Sequence, residues 1–106
     1  MDARKIERHF LPGMALSPND VVLIVDGDVG FLLWLSHALA ADGYIPIGAT
    51  SAAEARRLLR ELSLGVAVFI VNLQLPGMFE LTETLRRENR LMKVIRIQNS
   101  CGAEAS

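Results

Sequence analysis

Two short polar stretches stand where apolar runs end. The run Val21-Val22-Leu23-Ile24-Val25 gives way to Asp26-Gly27-Asp28, and the run Val66-Ala67-Val68-Phe69-Ile70-Val71 gives way to Asn72-Leu73-Gln74. Asp26 and Asp28 offer hard carboxylate oxygens of the kind Mg²⁺ takes, although that ion usually keeps several waters. Set against this, Asp28 suits a helix N-cap and Asp26 a solvated residue at a strand end. Asn72 brings a neutral amide, which both donates and accepts hydrogen bonds but has no carboxylate to act as a nucleophile. His9 and His37 have no second histidine or cysteine at ligand spacing, so both read as surface residues, and Cys101 has no CxxC partner.

The composition narrows the classes further. A chain of 106 residues is one domain's worth, enough to bury roughly two thirds of its unfolded surface. Hydrophobic residues make up 51% of it, yet no run approaches the ~20 apolar residues of a membrane span. A partner surface is the expected outlet for that surplus. The single cysteine excludes an internal disulfide, and residues 1–20 mix charges without a continuous apolar stretch, unlike a signal peptide; a cytoplasmic location follows. The formal net charge of −1 gives no pull toward nucleic acid. Arg56, Arg57, Arg60, Arg86, Arg87 and Arg90 are interspersed with glutamates and read as solvated helix faces.

The elements that must position the polar residues follow from periodicity. Val21–Val25 is apolar without alternation, as in a strand covered on both faces of a parallel sheet. Val29–Ala41 is expected as a helix capped by Asp28 and stopped by Gly43, with Phe31, Leu32, Leu35, Ala38 and Leu39 toward the sheet and Leu33 and Trp34 left over. Residues 44–48 form a second strand, which Pro46 places at an edge. Ser51 and Glu54 make a capping box for a helix burying Ala55, Leu58, Leu59 and Leu62. A third helix spans residues 79–89 and a fourth strand residues 93–97. The alternation predicts right-handed crossovers and a parallel sheet ordered 2-1-3-4, an α/β fold of flavodoxin-like type with helices on both faces. Residues 1–20 read as an extension with a short helix at 3–10 carrying Ile6 and Phe10, residues 21–99 as the domain, and residues 100–106 as a tail.

This order of landmarks resembles the receiver domain of bacterial response regulators. Asp26 matches one acidic position, Gly43-Tyr44 a second landmark, and Leu75-Pro76-Gly77-Met78 the turn after the third strand, over roughly residues 21–99. The resemblance implies a phosphoacceptor at Asn72, where the aspartate is missing, and a second acidic position at Gly27, with Asp28 one residue late. It places the switch Ser or Thr at Gln98, and the chain ends before the strand that carries the family's lysine. Phe79-Glu80-Leu81 follows Met78 directly, without the usual Asp-Gly step.

The expected function is therefore that of a degenerate receiver-like module in a two-component or phosphorelay pathway, not an enzyme, working by protein contact with a histidine kinase or another regulator. No cofactor is expected beyond weak Mg²⁺ binding at Asp26 and Asp28. One rival is a phosphoacceptor that uses Asp26 or Asp28. Another is a small-ligand or nucleotide binder in the crevice at the strand carboxyl ends, although Asp26-Gly27-Asp28-Val29-Gly30 is no P-loop. With no further strand beyond residue 97, the fourth strand is expected to be an open edge guarded by Lys93 and Arg96. That edge through Ile95 and Ile97, together with Leu33, Trp34, Ile6 and Phe10, is the expected surface of a homodimer.

Overall fold

The computed structural model describes residues 19–63 and 65–97. The expected helix with Ile6 and Phe10, the switch position Gln98, and the tail with Cys101 all lie outside the described residues. The elements are β1 (Val21–Val25), α1 (Val29–Ala41), β2 (Ile45–Ala49), α2 (Ala52–Leu62), β3 (Val68–Val71), α3 (Met78–Glu88) and β4 (Lys93–Arg96). The strands form one parallel sheet in the order β2-β1-β3-β4. This is the anticipated flavodoxin-like arrangement, with the proline-containing strand at an edge.

Side chains alternate across the strands, so the sheet divides its apolar residues between two cores. Val22, Ile24, Val68 and Ile70 share one core with Phe31, Leu32, Leu35 and Leu39 of α1. Leu23, Val25, Phe69 and Val71 share the other with Ala55 of α2 and with Met78, Leu81 and Leu85 of α3. That division follows from strand order: the chain leaves β1 toward β2 with its helix on one face, then returns past β1 to β3 with its helices on the other. The carboxyl ends of β1 and β3 therefore meet where the winding reverses, which is where open α/β sheets form a crevice.

Several details differ from the sequence expectation. β2 lies one residue later than predicted because Ala49 pairs with Val25, and its methyl, 1% exposed, belongs to the core. α3 begins at Met78 behind Gly77, whose φ of 77° is left-handed, so the chain turns into the helix without a side-chain cap. Ala38 is exposed: it sits at the border of the arc defined by Phe31, Leu35 and Leu39, and its methyl is too short to reach the sheet. Leu62 is also exposed, since it occupies the last turn before the left-handed C-cap Ser63, while Leu58 and Leu59 are the leucines that pack on the core. At the start of α2, Ser51 Oγ accepts the Glu54 N–H at 3.1 Å. Glu54 Oε1 reaches one residue further back than a capping box requires and accepts from the Thr50 N–H at 2.7 Å and the Thr50 hydroxyl at 3.1 Å.

Candidate functional site at the carboxyl ends of β1 and β3

The ladder carries the chain into the site. Val25 and Val71 are register partners, and the Asn72 N–H continues the pairing by donating to the Val25 carbonyl at 3.2 Å. On the other side of β1, the Asp26 N–H donates to the Ala49 carbonyl at 3.1 Å. Asp26 and Asn72 are thus the next residues along two adjacent strands, with backbones about 5 Å apart. Asp26 is 2% exposed and Asn72 is 7% exposed, so both polar side chains lie inside the molecule. The expectation that Asp26 is solvated is corrected: β1 is central, and neighbouring chain closes over its end on both sides.

The side-chain oxygens around this point hold backbone. Asp26 Oδ1 accepts the Asp28 N–H at 2.8 Å and so shapes the turn into α1. Asp28 Oδ1 accepts the Phe31 N–H at 3.1 Å, the expected N-cap. Asn72 Oδ1 accepts the Gln74 N–H at 3.0 Å, closing an Asx turn, and the Asn72 carbonyl accepts from Leu75 at 3.2 Å. Of the five positions expected to define the site, Asp26, Gly27, Asp28 and Asn72 stand at these two adjacent strand ends while Gln98 lies outside the described residues, and the hydrogen bonds of Asp26, Asp28 and Asn72 fix the two loops.

Gly27 sits exposed between the aspartates, with Leu75 beside it; a β-carbon at position 27 would lie 3.7 Å from Leu75 Cδ2. Sequence reasoning read Leu75 only as part of the turn and missed that it stands over the acidic segment. Leu73 and Phe79, in the same loop and at the start of α3, are 38% and 67% exposed. For Leu75 the available signal was a large apolar residue directly before the Pro-Gly turn.

Of the expected interface residues, Leu33 is 59% exposed, on the side of α1 away from the sheet. Trp34 is half-buried, packing on the α1 core with its ring 6.1 Å from that of Phe31, so it is only partly left over. Ile95 is half-buried, and Ile97 is corrected outright: it is buried in the α1-side core and offers little to a partner. The N–H groups of Lys93 and Ile97 donate toward β3, to Ala67 and Val71, so in a parallel ladder Val94 and Arg96 direct their backbone groups to the open side.

No protein-family model matches the sequence, and no curated protein matches it. Solved structures do. A response regulator from Thermotoga maritima superposes with a TM-score of 0.60 at 26% identity, covering 74% of this chain and 65% of its own. A response regulator receiver protein from Pseudomonas putida gives 0.60 at 25% identity, with 76% and 69% covered. The chain has a receiver-like fold. A receiver domain protein from Clostridium thermocellum is similar at 24% identity and a TM-score of 0.60, and this chain, 73% of it matched, spans 63% of that protein's length.

Receiver domains of the phosphorylated kind hold Mg²⁺ beside the acceptor, and the residues of this receiver-like domain do not fit that ion. Position 27 has no side chain and position 72 has a neutral amide, which removes two anionic ligands, and one side-chain oxygen each of Asp26, Asp28 and Asn72 already accepts a backbone N–H. Among the described residues no cluster of three or more His, Cys, Asp or Glu is placed to hold a metal.

Proposed function

We propose that this receiver-like domain is a non-catalytic signalling module of a two-component or phosphorelay pathway, acting by protein contact and without aspartyl phosphorylation. The observation that carries the reading is Asn72: it stands at the carboxyl end of β3, nearly buried, with its side-chain oxygen bound to the Gln74 N–H. An amide there offers no carboxylate to a phosphoryl donor. The rival acceptors are poorly placed, because Asp26 is buried and Asp28 caps α1. Intact mass after incubation with acetyl phosphate and Mg²⁺ tests the reading.

A ligand-binding role draws less support. A cavity of about 620 Å³ opens at the amino ends of β1, β3 and β4, bordered by Asp20, Gly65, Asn89 and Lys93, away from the crevice where the polar residues meet.

The contact function belongs to α1 in this proposal. The helix has no Asp, Glu, Lys or Arg, and the side turned from the sheet shows Val29 at 56% and Leu33 at 59% exposure. A second copy is the proposed first partner, forming a homodimer, with a histidine kinase or another regulator as the signalling partner. No helix among the described residues is long and apolar enough to cross a membrane, and we place the protein in the cytoplasm. Residues 1–20, 21–99 and 100–106 remain the proposed extension, domain and tail.

A further inference from the structure

We propose that Asn72 does the structural work a divalent cation could otherwise do at this site, so that the crevice holds one conformation without metal and the domain is a fixed-state module. The inference rests on the reading above and concerns how the same site is regulated.

Asp26 sets the constraint. Its carboxyl group is inside the protein, at the end of a central strand, and the register of β1 and β3 puts residue 72 next to it. A second carboxylate on the neighbouring strand would be repelled by the first, and burial strengthens the repulsion, so such a pair is relieved by a cation beside it or by a proton taken up by one partner. Asn72 removes the repulsion. Its amide is nearly isosteric with a carboxylate, it adds no charge, and its oxygen still closes the turn to Gln74 at 3.0 Å. The loops on both sides are then tied by protein alone: Asp26 Oδ1 to the Asp28 N–H at 2.8 Å, and Asn72 Oδ1 to the Gln74 N–H. With no ion to gain or lose, this site has nothing to report by changing occupancy.

Thermal unfolding of the full chain with and without millimolar Mg²⁺ tests this, using Asn72→Asp, Asn72→Leu and the exchange Asp26→Asn/Asn72→Asp. The wild type is expected to unfold at the same temperature in either condition. Asn72→Asp should unfold about 10 °C lower without metal and recover at least half of that loss with Mg²⁺. Asn72→Leu loses the turn hydrogen bond but adds no charge, and its loss should not respond to Mg²⁺. The exchange variant, with one amide and one carboxylate at swapped positions, should return close to wild type without metal, and it keeps the test decisive if Asn72→Asp does not fold. A wild type stabilised by Mg²⁺ would overturn the proposal, as would an exchange variant no more stable than Asn72→Asp. These outcomes involve no phosphoryl donor. A wild type that takes up phosphate yet ignores Mg²⁺ in unfolding would sink the proposed function and leave this inference standing, and an unphosphorylated wild type stabilised by Mg²⁺ would do the reverse.

Discussion

Leu75 Cδ2 lies 3.7 Å from the point a β-carbon on Gly27 would occupy, an ordinary van der Waals separation. The glycine is thus not demanded by crowding, nor does it adopt a positive φ, as Gly43 and Gly77 do. An acidic side chain can enter there without moving backbone. Gly27→Asp is expected to change stability by less than about 1 kcal/mol, the scale of a surface substitution compatible with its backbone. Urea unfolding checks it, and a loss of several kcal/mol would show that Leu75 cannot yield or that a carboxylate between Asp26 and Asp28 is repelled.

Gly77 is the contrasting case. Its φ is 77°, and an added methyl would come within 3.2 Å of the Ala52 β-carbon. Gly77→Ala combines left-handed strain with that close approach, and we expect a loss of about 1–3 kcal/mol in the same denaturation experiment. Stability equal to wild type would mean that the turn into α3 can be rebuilt with negative φ.

The start of α2 should weaken in acid. The Thr50 N–H, then the Thr50 hydroxyl and nearby Arg57, hold the Glu54 carboxyl below its ordinary value of 4.5. A carboxyl depressed in the folded protein contributes stability fully present above its unfolded value and lost as pH falls through the lower folded one. The pH dependence of unfolding below about 4.5 should therefore be shallower in Glu54→Gln. Identical slopes for the two proteins would remove Glu54 from the account. Ser51→Ala should cost about 1 kcal/mol at neutral pH, from the lost bond to the Glu54 N–H.

Self-association is read most directly at α1. Light scattering behind size exclusion should give twice the chain mass for the wild type. Leu33→Glu, which adds charge to the outward side of α1, should give the monomer with unchanged helix content. Trp34→Glu should also dissociate the dimer but cost stability, because Trp34 packs on Phe31. A wild type that stays monomeric at high concentration would transfer α1 to a different protein partner.

The backbone plan was largely legible in the residues. β1 and α1 have their anticipated bounds because the uninterrupted run Val21–Val25 and the Asp28 cap are local signals. Pro46 marked the edge strand for an equally local reason, its missing N–H. What escaped depends on contacts between segments distant in sequence. Ala49 joins β2 because Val25 stands opposite, Ile97 is buried by the α1-side core, and Leu75 reaches Gly27 from the loop after another strand. Periodicity on one segment carries no information about such partners. The site shows the same division: the types at 26, 27, 28 and 72 were plain, whereas the burial of Asp26 came from the neighbours of β1.

Phosphoryl uptake tests the central claim most directly. The wild type and Gly27→Asp/Asn72→Asp are incubated with acetyl phosphate and Mg²⁺, and each is weighed intact before and after. No change in mass is expected for the wild type, and slow or partial uptake for the double variant, where a carboxylate nucleophile and a further oxygen ligand are present. An acid-labile gain of one phosphoryl group on the wild type would contradict the central claim.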